Sequence, residues 1–202
     1  MPTRKYVSSA RAAAAAQKRE KVLNTAARLL RAAVSSTDMS VDAVARGAGV
    51  TRLTVYNQFQ SRHGLLEAVF DKIAEAGGLG RIPEAMTAGN PAEALAQLVE
   101  IFCEFWSHDP AIGRLTEAAG TDPEFAQALA ARNQRRRKAI SVLVERAAPK
   151  GAQPRLCRDT ADLIFALTSY QMFALLSDGR TTAAVIALLK SACDRALESL
   201  KG

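Results

Sequence analysis

Histidine, cysteine and aromatic side chains are all scarce in this chain of 202 residues, and each scarcity excludes a class of function. His63 and His108 are the only histidines. Cys103, Cys157 and Cys193 are far apart and share no Cys-x-x-Cys spacing, so neither a zinc constellation nor a disulfide framework is available. No metal or cofactor is implied, and a reducing, cytoplasmic setting is the simpler reading of such cysteine usage. There is no GxSxG, no phosphate-binding Gly-rich loop, no dinucleotide fingerprint and no HExxH, and two histidines offer little general-base capacity near neutral pH. Carboxylate pairs such as Glu100/Glu104 stand one helical turn apart, as on any solvated helix. The expectation is a protein that is not an enzyme.

Long apolar runs are missing too. The longest stretch without a charge, Leu163–Ser177, has 15 residues and contains Thr168, Ser169, Tyr170 and Gln171, which is too short and too polar to span a bilayer. The run Ala12–Ala16 is too short for a signal-peptide core and is followed at once by Lys18-Arg19. Aromatics make up only 5%, Ala and Leu dominate, and β-branched runs are absent, which together point to helices. A composition of 49% hydrophobic and 23% charged residues is ordinary for a globular chain. Arg outnumbers Lys 19 to 8, and with the many alanines this fits a GC-rich bacterial source.

What the chain does have is positive charge, and it is concentrated at one end. The formal net charge is +7. Residues 1–36 hold eight basic groups and one acid, a net of +7, residues 37–75 a net of −1, and residues 76–202 a net of +1. A one-ended basic charge predicts a local polyanion site: nucleic acid, an anionic membrane surface or an acidic protein.

Hydrophobic spacing predicts an all-α chain of about nine helices. Residues 1–17 show no apolar period and read as a disordered basic arm. A helix with its basic residues outward follows from Lys18, and the residues to 76 form the first domain. Val41–Ala48, capped by Ser40 and ended by Gly49, is a short helix, and Thr51 opens a second one through Phe59. Ser61 starts a third to about Ala76. Gly77, Gly78, Gly80 and Pro83 then break the chain at a domain boundary. Helices are expected over 91–108, 110–119, 123–148, 158–177 and 182–200, the last two forming a hairpin, and residues 84–202 make the second domain.

The segment 40–59, helix–Gly turn–helix, has the requirements of a helix-turn-helix: Ala45 at the crossing, Gly49 in the turn, and Val44, Val50 and Val55 as apolar anchors. Val55 and Phe59 face inward, leaving Arg52, Thr54, Tyr56, Asn57 and Gln58 largely outward. That row suits phosphates and base edges, with the basic residues of the preceding helix close by in sequence.

From Val22 onward, about 45 residues, and above all the run from Val41 to Leu66, resemble the DNA-binding signature of the TetR (tetracycline-repressor-like) regulators. The resemblance implies that Arg52, Leu53, Thr54, Asn57 and Gln58 face the major groove. It further implies that Tyr56, with Ser40 and Thr51 at helix N-termini, holds phosphates, and that Arg62 stands where the family usually has a phosphate-binding Lys. Leu53 replaces a usually small residue and suits a thymine methyl, and Gln58 replaces a frequent His.

The same resemblance implies a homodimer through the last two helices, reading a palindromic operator in double-stranded DNA, and a pocket for a small apolar or amphipathic effector. Leu163–Ser177 and Val185–Leu189 are apolar nearly all round, which itself favours burial against the body and a twin. Candidate pocket residues are Phe102, Phe105, Trp106, Phe125, Leu129, Tyr170, Met172 and Phe173, with Met86 at the entrance and His108 and Glu117 to orient a polar group. Each of these also reads as plain core or surface. The Arg135–Lys138 run reads as a solvated helix face, with an anion contact as the other possibility, and Cys103 as core. The function expected is a ligand-responsive repressor whose operator-binding form is depopulated by the effector. The alternative is a helical module that docks an anionic membrane or acidic partner through its basic N-terminus, or a DNA-compacting protein without a preferred site.

Overall fold

The computed structural model describes residues 4–33, 35 and 39–201. They form eleven α-helices: α1 (Arg4–Ala32), α2 (Val41–Ala48), α3 (Arg52–Phe59), α4 (Arg62–Ala76), α5 (Ile82–Met86), α6 (Pro91–His108), α7 (Ala111–Ala118), α8 (Pro123–Ala147), α9 (Pro154–Leu167), α10 (Tyr170–Leu176) and α11 (Thr182–Glu198). Short 3-10 turns lie at Leu79–Arg81 and Ser199–Lys201, and no strand occurs among the described residues.

The all-α class is as expected, but the count of about nine is corrected to eleven for two local reasons. Pro83 was read as a breaker. It instead occupies the first turn of α5, where its missing N–H costs nothing and its fixed φ already suits a helix. The single helix expected over 158–177 is two, because Thr168 ends α9 and Ser169 starts α10 by accepting a hydrogen bond from the Met172 N–H at 3.2 Å.

A third difference lies at the N-terminus. Residues 4–17 of the expected disordered arm are the first half of α1, and residues 1–3 lie outside the described residues. Residues 11–21 are exposed, so burial contributes little over that stretch, and the alanines at 12–16 supply helix propensity.

The chain clusters into two compact units, Met1–Lys72 with Pro110–Gln127 and Ile73–Asp109 with Ala128–Gly202. The segment 110–127, expected with the second domain, is thus grouped with the first. In the first unit, Val22, Leu23, Ala26, Ala27 and Leu30 bury one stripe of α1. They share the unit's buried set with Val44, Ala45 and Ala48 of α2, Val55 and Phe59 of α3, and Ile112 and Leu115 of α7. The second unit is centred on α6, whose Leu95, Leu98, Val99, Phe102 and Cys103 pack with α11 through Val185, Leu189 and Cys193. Ile140 and Val144 of α8 and Ala161 and Ile164 of α9 complete that core. Cys103 and Cys193 are both buried, and burial pushes each thiol up to about 12, so they behave as small apolar residues. No described helix is long and apolar enough to cross a membrane.

One glycine has no substitute in the first unit. At the end of α3 the chain folds back through Gln60, at φ 66, so that the Phe59 carbonyl oxygen would lie 2.2 Å from a Cβ placed on Gly64. A backbone oxygen cannot swing aside as a side chain can. Gly64→Ala is therefore expected to destabilise the protein by about 2 kcal/mol or more, read as a lowered urea midpoint. Gly89→Ala, which meets nothing within 4 Å, should leave the midpoint within experimental error or raise it slightly. Equal midpoints for the two variants would refute the account.

Candidate functional site

The local structure of 40–59 is built by caps. Ser40 Oγ accepts from the Ala43 N–H at 3.1 Å and starts α2. Gly49, at φ 64, ends it in the left-handed conformation, with the Val50 N–H donating back to the Ala45 carbonyl at 3.0 Å. Thr51 Oγ1 accepts from the Thr54 N–H at 3.1 Å and starts α3. Val55 and Phe59 are buried beneath α3, and Val50 is half-buried.

Arg19 of α1 fixes the far end of α3. Its guanidinium lies 4.4 Å from the Phe59 ring centre and donates to the Gln58 carbonyl at 3.1 Å, satisfying one of the last free carbonyls of the helix. Two other cations of α1 reach the last turn of α2 and the Gly49 turn that follows it. Lys21 Nζ lies 3.6 Å from where a Cβ on Gly49 would stand, and Arg28 comes within 3.4 Å of the same point on Gly47. The basic face of α1 is thereby brought beside the helix-turn-helix.

The α3 residues expected to face outward do not all do so equally. Arg52, Leu53 and Asn57 are exposed, Leu53 at 67%. Thr54, Tyr56 and Gln58 are half-buried. The Thr54 hydroxyl shares a hydrogen bond with Thr51 Oγ1 at 2.9 Å, so these two hydroxyls engage each other. Gln58 Oε1 is buried without a partner and faces the protein.

Arg52 is held from two sides: Nη1 donates to Asp42 Oδ2 of α2 at 3.1 Å, and Nη2 to the Tyr56 hydroxyl at 3.2 Å. The Tyr56 hydrogen bond and then the Asp42 carboxylate raise the guanidinium above its ordinary value, so it stays charged. With both partners well exposed, the pair orients Arg52 more than it stabilises the fold. Arg62, expected on a phosphate, donates to Asp122 Oδ2 at 3.0 Å, while Asp122 Oδ1 caps α8 by accepting from the Phe125 N–H. Neither the Asp42 nor the Asp122 contact is legible in the sequence, since both join residues remote in the chain.

The candidate pocket residues are distributed over both units. Glu117 is exposed and paired with Arg114 at 2.6 Å in the first unit, and Phe125 is fully buried there. In the second unit Phe102, Phe105, Trp106 and Tyr170 come together. Trp106 lies 4.6 Å from Phe105, 5.7 Å from Tyr170 and 6.3 Å from Phe102, ring centre to ring centre. Phe173 belongs to the same core, Met86 and Met172 pack against it, His108 is exposed at the end of α6, and Leu129 is half-buried on α8.

Arg136 corrects the reading of 135–138 as a solvated face. It is 8% exposed, and its guanidinium lies 4.2 Å from the Phe165 ring centre and 5.5 Å from that of Phe102. Nη1 donates to Thr168 Oγ1 at 3.1 Å. A buried guanidinium without a carboxylate costs on the order of several kcal/mol, and ring faces return roughly 2 kcal/mol of that. The sequence held a signal for it: Arg136 stands four residues before Ile140 and eight before Val144, on the buried stripe of α8.

The comparisons with known proteins agree with this layout. The family model described as "Bacterial regulatory proteins, tetR family" matches residues 22–69, and the one described as "Tetracyclin repressor-like, C-terminal domain" matches residues 89–200. The HTH-type transcriptional regulator EthR of Mycolicibacterium smegmatis is 31% identical over 162 residues, which is 78% of this chain and 74% of EthR. A TetR-like transcriptional regulator from Rhodococcus sp. RHA1 has the same fold (TM-score 0.65, 17% identity, 90% of this chain and 96% of that one). So does the regulator FadR of Bacillus subtilis, solved in complex with stearoyl-CoA (TM-score 0.67, 17% identity, 90% and 96% covered). With its capped helix-turn-helix inside the first match and α6 to α11 inside the second, the chain belongs to the TetR family of bacterial transcriptional regulators.

Proposed function

We propose that this regulator reads a palindromic operator as a homodimer, through the N-terminal half of α3, and that a small amphipathic effector taken up by the second unit releases it. The observation that carries the DNA half of this reading is Leu53. Among the described residues of the first unit it is the only large apolar side chain left exposed. It follows the Thr51 cap and the braced Arg52 at the start of an eight-residue helix. A groove supplies what water does not, a thymine methyl for Leu53 and a guanine edge or phosphate for Arg52. Ser40 and Thr51 place two helix N-termini where phosphates bind well, and the cations of α1 add salt-dependent attraction. Arg62 reaches a phosphate in this reading only by leaving Asp122.

The dimer reading is supported by the surfaces of α9, α10 and α11. Ala183, Ala184, Ala187 and Leu188 form an exposed small and apolar row on α11, and Leu163 of α9 and Leu175 of α10 are 51% and 74% exposed. Exposed apolar patches of this kind mark interaction surfaces, and two-fold pairing would set two recognition helices to read two half-sites. The effector reading is supported by the aromatic cluster of Phe102, Phe105, Trp106 and Tyr170.

Selection of bound fragments from sheared bacterial DNA tests the operator directly. Wild type is expected to enrich a shared palindrome. Arg52→Ala should lose about tenfold to a hundredfold in affinity and relax preference at one base pair. Tyr56→Phe should weaken all sequences through the lost phosphate-binding hydroxyl, and relax preference at the Arg52 base pair less than Arg52→Ala does, because Asp42 still holds the guanidinium. Enrichment without a common motif would favour a DNA-compacting protein, and no enrichment at low salt a module that docks an anionic surface or acidic partner.

For the dimer, Leu188→Asp should sediment as a monomer at concentrations where the wild type is dimeric. A wild type that is monomeric at tens of micromolar would overturn the pairing of α9 to α11.

A further inference from the structure

Arg136 is the one described cation that is at least nine-tenths buried, and its charge is not balanced by an acid. No carboxylate pairs with it among the described residues, and its nearest charged neighbour, Arg137, is another cation whose own partner is Asp162 at 2.6 Å. Its Nε is buried with no hydrogen-bond partner. Burial, and then the Arg137 charge, push the guanidinium down to about 10, which leaves it charged at neutral pH. Around it stand the faces of Phe102 and Phe165 and the Thr168 hydroxyl, which itself donates to the Ile164 carbonyl at 3.0 Å. The Thr168 carbonyl, released from the helix ladder by the break between α9 and α10, accepts from Trp106 Nε1 at 3.1 Å. Two ring faces and the carbonyl end of α9 lower the cost of the charge without neutralising it. The acceptor this arrangement lacks is an anion.

We propose that Arg136 is the head-group site for the effector, and that the effector is a carboxylate on an apolar body: one carboxylate oxygen takes the Nε–H of Arg136, and the body lies against Phe102, Trp106 and Tyr170. This rests on the reading that the second unit takes a small-molecule effector, and it names the chemical class. A guanidinium presents its donors to a carboxylate in a matched fork. An alcohol or amide of the same shape satisfies one donor and leaves the charge uncompensated, so selectivity for the acid follows from burial. The break at Thr168-Ser169 is where α9 and α10 can part to admit the body, since only the Ser169 N–H and hydroxyl, both on the Ala166 carbonyl, tie Ser169 back to α9.

Trp106 is the only tryptophan of the chain, so intrinsic fluorescence reports from the site itself. The full-length protein is titrated with straight-chain monocarboxylates from hexanoate to hexadecanoate, with benzoate and phenylacetate, and with the alcohol matching each. At least one carboxylate is expected to shift the Trp106 emission at about thirtyfold or more lower concentration than its alcohol, and Arg136→Met should abolish that difference by weakening the carboxylate far more than the alcohol. Arg136→Lys, which keeps the charge and loses the fork, should retain part of the preference. Thermal unfolding of each variant checks folding, and Arg136→Lys serves if Arg136→Met does not fold.

No carboxylate preferred over its alcohol, or a preference that survives in Arg136→Met, overturns the inference and leaves Arg136 as a structural brace for α9. Operator affinity is measured in parallel. An Arg136-dependent carboxylate that binds without weakening DNA binding sustains the anion site and sinks the release reading. A neutral amphipath that releases DNA equally from wild type and Arg136→Met does the reverse.

Discussion

A helix of eight residues has no stability of its own in water, since nucleation costs more than two turns return. The surface that α3 presents therefore exists only because something else holds α3 in place. That something is the burial of Val55 and Phe59, together with the Arg19 bridge to Phe59 and the Gln58 carbonyl. The Thr51 cap fixes where the helix begins and the Gly64 cradle fixes how the chain leaves it. The inner side is committed to that anchoring, which leaves Arg52, Leu53 and Asn57 exposed on the outer one. Full burial of a phenylalanine is worth about 1.5–3 kcal/mol, comparable to all that a helix this short lacks. The proposed reading of DNA uses the outer face that this anchoring leaves free.

The features of this site that were legible in the sequence are those set by neighbours in the chain. Ser40, Thr51 and Gly49 announce helix ends because caps act over three or four residues, and α2 and α3 begin and end where those signals place them. The TetR signature covers the same stretch. Illegible were the contacts that join distant segments. Asp42 on Arg52 spans ten residues, Arg19 on Gln58 spans thirty-nine and Asp122 on Arg62 spans sixty, and no local pattern encodes any of them.

The remaining misreadings have opposite causes. In α1 the absence of an apolar period suggested disorder, but a run of alanines needs no packing partner to stay helical. In α5 Pro83 reads from the sequence as a stop, whereas its position in the first turn makes it a start. Arg136 is hidden among its neighbours, because Arg135 and Lys138 are exposed, as such a run usually denotes, and Arg137 is only half-buried beside Asp162. Only the phase of the helix, set by Ile140 and Val144, separates the buried arginine from the exposed ones.

The helix that carries Arg136 also has a charged device at its start. α8 is continuous from Pro123 to Ala147, so Arg136 lies about 20 Å along the helix axis from its first residue. Asp122, just before that residue, caps α8 with one carboxylate oxygen and holds Arg62 with the other. Arg62 is the first residue of α4, three positions after α3 ends. Within the first unit one carboxylate therefore does two jobs: it starts α8 and it holds the residue at which α4 begins, so the exit of α3 and the entry of α8 are tied through a single side chain.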